Sequence, residues 1–294
     1  SITDDGVAIG YLIAGTLIGG KLVRVSSEID DRNRIEAIVS NVAVVSGPAA
    51  QLEVDVYDFG YDAGGGLWMI EASARVWDRY RNPVVANIAV VFTVEPQNST
   101  ITSGWTGNEN RNGLSTPGVA YAQLLYNSVN TFDLIEISAE VRTEGGLIND
   151  AREHILPLQR GNLELHLDPA NWKYEEEREE AEIRCWVVLS DGHGIRINNA
   201  PILFTSTRAQ FGWMDLNEEM HMYYPDPVRK YTGVRDQAND ERPGQATVYL
   251  IAEEPDIFLD PFTLEVRVNI EASIEGYSDV VAEPKFITFT RAAN

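Results

Sequence analysis

Four histidines (His154, His166, His193 and His221) and one cysteine (Cys185) are the side chains of this 294-residue chain suited to nucleophilic or general-base work. Hydrolysis by a triad needs a nucleophile, a base within hydrogen-bond reach and a group that orients the base. His166 alternates outward in LELHL (163–167) and His154 lies in the last strand of a unit, so both are expected at the surface. His193 sits in the turn DGHG (191–194), with neither a Gly-x-Ser-x-Gly elbow nor a cysteine beside it. Cys185 shares its strand face with Ile183, Val187 and Leu189, where a small buried hydrophobe is expected. HExxH, CxxC and phosphate-cradling glycine loops are absent from the sequence, and GGG at 64–66 reads as a hairpin turn. The expectation is a protein without catalytic residues and without a motif-bound cofactor.

Two further groups of residues bear on binding. Asp4 with Asp5, Asp30 with Asp31, and Asp236 with Asp240 are carboxylate pairs of the kind a hard cation uses. None has EF-hand spacing, so Ca²⁺ at a domain junction is set against solvated loop acids. The segment 211–233 (FGWMDLNEEMHMYYPDPVRKYTG) reads as a long aromatic loop insertion, with Trp213, Met214, Tyr223 and Tyr224 as a contact surface for protein or sugar. The competing reading folds these side chains back over the end of the unit. Trp105, in TSGWTGNENRNG (102–113), is a second candidate in the equivalent loop.

Charge removes several partners. Lys and Arg total 23 against 45 Asp and Glu, a net charge of −22. A nucleic-acid surface needs a basic face, and so does an anionic membrane. With one cysteine there is no intrachain disulfide. The longest apolar run, IAVVFTV (88–94), suits a buried strand and falls far short of the roughly 20 residues of a membrane helix. Ser1 is preceded by no basic and apolar leader, which reads as a processed product or an excised piece.

The elements that would position these residues are strands. In WMIEASARVWD (68–78), Trp68, Ile70, Ala72, Ala74 and Val76 alternate with Met69, Glu71, Ser73, Arg75 and Trp77. LEVRVNIEA (264–272), LEVDV (52–56), IRCWVVL (183–189) and IEISAEV (135–141) repeat that period of two. Such alternation marks strands with one face on a core and one in water. A glycine followed by a strand recurs at GVAIGYLI (6–13), GVAYAQLL (118–125) and GQATVYLI (244–251). Each follows a polar loop, and two further strands follow each, so a three-strand tail occurs three times. A matching head precedes only the second and third tails, with Asp78 and Asp191 at the same point of its turn. The expected organisation is half a domain (1–46) and two whole domains (47–159 and 160–294), joined by the short linkers 46–48 and 159–162 into a semi-rigid rod.

VWDRYRNPVVANIAVVF (76–92), TPGVAYAQLL (116–125) and ISAEV (137–141) resemble the bacterial Ig-like domains of the invasin and intimin type, the Big-1 group. SGPAAQLEV (46–54) resembles that family's inter-domain junction. The third unit departs from the pattern, with NNAPI (198–202) in place of N-P-V. The resemblance implies an all-β protein of tandem immunoglobulin-like β-sandwiches, extracellular and non-catalytic: an adhesive stalk or a filament subunit of a bacterial surface. Its partners would be other copies or other cell-surface proteins, with glycans as a further class. A carbohydrate-binding or spacer module of a secreted enzyme, and a phage or virion decoration protein, are the rival readings. Residues 1–46 then leave Val7, Ile9, Tyr11, Val23, Val25, Ile35, Ala37 and Val39 without cover, to be supplied by missing parent sequence or by another subunit.

Overall fold

The computed structural model describes residues 10–13, 15–30, 33–175, 180–214, 220–222, 227–233 and 242–291. The first regular elements are β1 (Gly19–Asp30) and β2 (Asn33–Val44), an antiparallel hairpin that forms a sheet by itself. Then come β3 (Gln51–Val56), β4 (Tyr61–Gly64), β5 (Leu67–Trp77), β6 (Ala89–Glu95) and β7 (Ser99–Ile101). β8 (Gly104–Trp105), β9 (Val119–Asn127), β10 (Leu134–Thr143) and β11 (Gly146–Ile155) complete the first sandwich. One of its sheets runs β3-β5-β9-β7, with β4 also on β5, and the other runs β11-β10-β6-β8. Lettered along the chain these are sheets A-B-E-D and G-F-C, the division of an immunoglobulin-like sandwich.

The second sandwich has β12 (Asn162–Asp168), β13 (Asn171–Tyr174), β14 (Glu180–Ser190), β15 (Pro201–Ser206) and β16 (Gln210–Met214). β17 (Met220–Met222), β18 (Val228–Tyr231) and β19 (Gln245–Glu253) follow. After a short helix α1 (Glu254–Ile257) come β20 (Glu265–Ile274), β21 (Tyr277–Val281) and β22 (Lys285–Arg291). Its sheets run β12-β14-β19-β16-β17 and β13-β22-β20-β15-β18, with β21 on β20. The A-B-E-D order therefore recurs with one added edge strand. A first-strand segment, β13, also pairs parallel with the last strand, β22. The protein is thus all-β, with tandem Ig-like sandwiches. Pro284 separates β21 from β22 where one strand is expected; lacking an N–H, it cannot continue the ladder.

The period of two places the cores. Trp68, Ile70, Ala72, Ala74 and Val76 of β5 are buried, as are Phe92, Ile137 and Ala139 of the facing sheet. Trp68 meets the ring of Tyr126 edge-on at 6.1 Å. Cys185 is fully buried on the inner face of β14 with Ile183, Val187 and Leu189. Loss of solvent pushes its thiol up to about 12, so it stays a neutral hydrophobe. The repeated glycine also has a physical cause. Gly118 and Gly244 have φ of +72° and +73°, and a Cβ there would lie 2.7 Å from Pro83 Cβ and 2.6 Å from the Leu189 carbonyl oxygen. Their carbonyls accept Val76 N–H and Leu189 N–H, each at 2.8 Å, tying strand E's start to the end of strand B. Gly6, the third copy, lies outside the described residues.

Long-range cover departs from the local pattern in four places. Glu71 and Ser73, on the outward face of β5, are buried. The connection after β8 folds over that face: Arg111 N–H donates to Glu71 Oε2 at 2.7 Å and the Arg111 guanidinium to Phe59 O at 2.6 Å. His154, expected at the surface, keeps only 13% side-chain exposure and lies 3.4 Å from Asp58. Burial holds its imidazole below 6.5, against the opposing pull of Asp58. The 211–233 segment is not one loop. It contains β16, β17 and β18; Phe211 is buried against Phe204 at 6.1 Å, and Val228 and Lys230 are buried as well. Gly212, Trp213 and Met214 pair through their main chains with Met222, His221 and Met220 and so extend the open edge of the A-B-E-D sheet, which is how an edge strand satisfies its backbone. Finally, residues 10–13 are not strand, although the first copy of the glycine motif predicts one there.

Candidate functional site

The features that could act on a partner are an uncovered hairpin and the surfaces that join one unit to the next. In β1–β2, Val23 faces Val39, Val25 faces Ala37 and Ser27 faces Ile35 across the ladder, so one face is apolar. The other carries Arg24, Arg34 and Glu36, paired at 3.7 and 3.1 Å, with Arg34 also donating to Ser26 and an exposed Ile38 opposite Arg24. A two-faced hairpin of this kind is half of a sandwich wall. Among the described residues neither strand is bonded to a third strand, and Val25, Ile35 and Val39 remain 58%, 60% and 42% exposed. Val7 and Ile9 lie outside the described residues; Tyr11 is exposed.

The segment leading into this hairpin is held to the first sandwich by a specific contact. Asn82 Nδ2 donates to the Thr16 carbonyl at 2.7 Å and to Asp78 Oδ2 at 3.0 Å. Asp78 organises the turn after β5: Oδ1 accepts Tyr80 N–H and Asn82 N–H, and Oδ2 also accepts Gly47 N–H from the linker. Loss of solvent would raise this carboxyl, but the donors from Asn82, Gly47 and Tyr80 outweigh it and hold it at about 2.

The junction of the two sandwiches also uses an asparagine amide, with more contacts around it. Asn199 Nδ2, beyond the turn after β14, donates to Asp133 at 3.0 Å, and Phe132 meets Tyr277 edge-on at 5.7 Å. Leu158 N–H donates to the Tyr277 hydroxyl at 3.0 Å. His193 Nε2 stands 3.0 Å from Asp62 Oδ2, and Gln159 links to Gly60 N–H and Asp58 O at 2.8 Å each. The N–H of Gly64 holds the Asp62 carboxyl below its usual range, with burial opposing and His193 assisting. Asp191 is the counterpart of Asp78, following the strand residue that pairs with the start of strand A in each sandwich. Its Oδ1 accepts His193 N–H and Ile195 N–H at 2.8 Å, while its buried Oδ2 has no hydrogen-bond partner among the described residues. The linker N–H that serves Asp78 comes from Gly47, four residues before strand A. At the same distance before β12 stands Leu158, whose N–H is engaged by Tyr277. A polar groove of about 600 Å³ lies beside this turn, lined by Arg160, Asn162, Glu164, Asp191 and Arg196 among others.

The residues singled out by sequence are scattered. His166 stacks on Trp186 at 5.2 Å on the outer face of β12 and β14, His154 lies on β11, and His193 lies at the junction beside the Asp62 carboxylate. Trp105 ends β8, 53% exposed. Trp213 and Met214 pair with His221 and Met220 in the β16–β17 ladder. Tyr223, Tyr224, Asp4, Asp5, Asp31, Asp236 and Asp240 lie outside the described residues, and Asp30 closes the β1–β2 ladder opposite Asn33. Among the described residues no group of three or more His, Cys, Asp or Glu is arranged around a metal position, and no helix is long and apolar enough to cross a membrane. The junction pairs join residues far apart in the sequence. Of these residues only His193 lies within an Asp-led turn, 191–196, that the sequence shares with 78–83.

No family model matches the chain, and no curated protein does. Among solved structures, the Escherichia coli adhesin FdeC is similar over 96% of this chain and 88% of its own, at 10% identity and a TM-score of 0.37. A titin A168–A169 fragment is similar over 78% of this chain and 91% of its own, at 10% identity and a TM-score of 0.28. A Parabacteroides merdae β-glucuronidase is similar over 84% of this chain but 25% of its own, at 14% identity and a TM-score of 0.21.

Proposed function

We propose that the chain is a non-catalytic structural or adhesive protein of a bacterial surface. In this reading it is a stalk or filament subunit of the Big-1 type, and the β1–β2 hairpin is the closing half of a sandwich completed by strands from another subunit. One observation carries the reading: a hairpin with an open apolar face follows a segment, Thr16, that is held to the next sandwich by the Asn82 side-chain amide. A hairpin alone is marginal in water, so its apolar face favours a partner sheet. The junction bonds suit a rod that transmits force, and exposed Trp105 suits contact with a surface protein or a glycan. The net charge of −22 keeps the chain from nucleic acid and from anionic lipid.

The test is mass by light scattering of the 294-residue chain beside a version beginning at Gly47. The reading expects polymers from the long form and monomers from the short one. Monomers from both, with residues 19–44 exchanging amide hydrogens as fast as an unfolded peptide, would refute it.

A further inference from the structure

Asp78 and Asp191 head turns of one design. In each, Oδ1 takes two backbone donors, from Tyr80 and Asn82 in the first and from His193 and Ile195 in the second, and the bridges Trp77–Pro83 and Ser190–Arg196 close the turns. The turns differ in what serves Oδ2. Asn82 gives its side-chain amide to Asp78 Oδ2, whereas Ile195, at the same place, has no donor to give. Ile195 lies instead over Gly66 of the first sandwich, where a Cβ would run into its Cδ1. That Cβ position is 3.6 Å from Ser128 Oγ and 3.9 Å from Asp191 Oδ2, and both oxygens are buried without a hydrogen-bond partner among the described residues. Seating the turn on the first sandwich therefore strips water from a carboxylate oxygen and a hydroxyl and returns no partner to either, which is unfavourable.

Two contacts on the turn oppose that cost: the apolar seat of Ile195 on Gly66, and His193 Nε2 at 3.0 Å from Asp62 Oδ2. The His193–Asp62 pair is part-exposed, at 44% and 33% of its side chains. The charged groups around the imidazole come from each element packed there. Asp62 ends on it from β4, and Asp191 holds its backbone N–H. Arg160 of the linker lies along Gly192 and also acts on Asp62, while Arg196 and Glu164 line the adjoining groove. A neutral imidazole offers Asp62 an ordinary hydrogen bond, and an imidazolium offers a charge-assisted one, roughly twice as strong. Imidazole is the side chain that changes charge between about pH 5 and 8. The closing contribution is therefore largest on the acid side and falls as the ring loses its proton. The other junction contacts, Tyr277 with Phe132 and Leu158 and Asn199 with Asp133, contain no imidazole.

We infer that the 191–196 turn is an acid-closed latch between the two sandwiches. With His193 charged, the turn seats on Asp62 and Gly66. With His193 neutral it lifts, water reaches Asp191 and Ser128, and the Tyr277 contacts keep the sandwiches joined. The effector is the proton, and what it sets is how freely one sandwich bends on the other. The latch lies within one chain and is independent of how chains assemble.

The test is amide hydrogen exchange of the full chain by NMR at about pH 5.5 and about pH 8, each rate expressed as protection relative to an unstructured amide at that pH. The reporter is Ser128 N–H, which donates to Gly66 O at 2.8 Å at the seam. The reference is Val76 N–H, bonded to Gly118 O in the body of the first sandwich. Their ratio removes any change of the sandwich as a whole, including the one that His154 brings. Ser128 protection relative to Val76 should be about two- to fivefold higher at the acid pH, the range of a part-exposed ion pair. His193→Gln and Asp62→Asn, both at exposed positions, should show the same ratio at both pH values. His193→Lys, a fixed cation, should keep the acid-side ratio at both. A wild-type ratio that does not move with pH overturns the latch without recourse to any variant. So does a pH dependence that persists undiminished in His193→Gln.

Discussion

Tyr277 is the side chain on which the sandwich junction turns, and its removal in steps yields separable losses. Tyr277→Phe keeps the ring against Phe132 and deletes the hydroxyl that accepts Leu158 N–H. Leu158 is buried, so its N–H is left without a partner. An orphaned buried donor costs about 1–3 kcal/mol. Phe132→Leu keeps that bond and deletes the edge-on ring pair, worth about 0.5–1.5 kcal/mol beyond burial. A double-mutant cycle of Phe132→Leu with Tyr277→Leu should therefore return a coupling of about 0.5–1.5 kcal/mol, whereas Phe132→Leu with Tyr277→Phe should be additive. The assay is urea unfolding of the full chain followed by tryptophan fluorescence and circular dichroism. The paired leucines should also split one transition into two, because the sandwiches no longer share their junction. Titration gives an independent arm. Burial raises the Tyr277 phenol above 10.0, with the Leu158 bond opposing. The folded state therefore favours the neutral phenol. That stabilisation is complete below pH 10, is lost as pH rises above it toward the folded value, and is missing in Tyr277→Phe. A coupling indistinguishable from zero, with unchanged midpoints in every variant, would show that the sandwiches touch without stabilising one another.

The other expectations are narrower. Gly118→Ala and Gly244→Ala should each destabilise by more than the roughly 1 kcal/mol of an ordinary glycine replacement, since positive φ combines with a backbone or proline clash; thermal melts that match the wild type would refute the account of the repeated motif. Cys185 should resist a thiol reagent in the native protein and react once urea unfolds it, because its thiol is buried and pushed up to about 12; modification at the same rate in both states would contradict its placement. The His154 imidazole should titrate below 6.5, so its contribution to stability is present above that pH and is lost as pH falls through the folded value; an NMR titration midpoint at or above 6.5 would refute the burial argument. Trp68→Ala should cost about 3–5 kcal/mol, as truncating a fully buried core aromatic does, and a smaller loss by denaturant titration would mean that the first sandwich collapses onto the space.

Alternation along β5, β10, β14 and β20 was enough to read strands, sandwich walls and the inward place of Cys185, because side-chain direction in a strand is a local property. The glycines at 118 and 244 and the aspartates at 78 and 191 were legible for the same reason: a tight turn constrains the residues that make it. The open apolar face of the β1–β2 hairpin was legible too, since it follows from the same alternation. Tertiary structure alone decided which outward faces are covered. Glu71 points away from the core yet is buried, because the loop around Arg111 arrives from 40 residues downstream. Phe211 and its neighbours form strands because the edge of β19 offers backbone partners that no short window contains. The junction pairs of Asp133 with Asn199, Asp62 with His193 and Tyr277 with Leu158 join residues 66, 131 and 119 apart. Pairings of that range depend on the relative placement of two folded sandwiches, and a local sequence pattern carries no term for it.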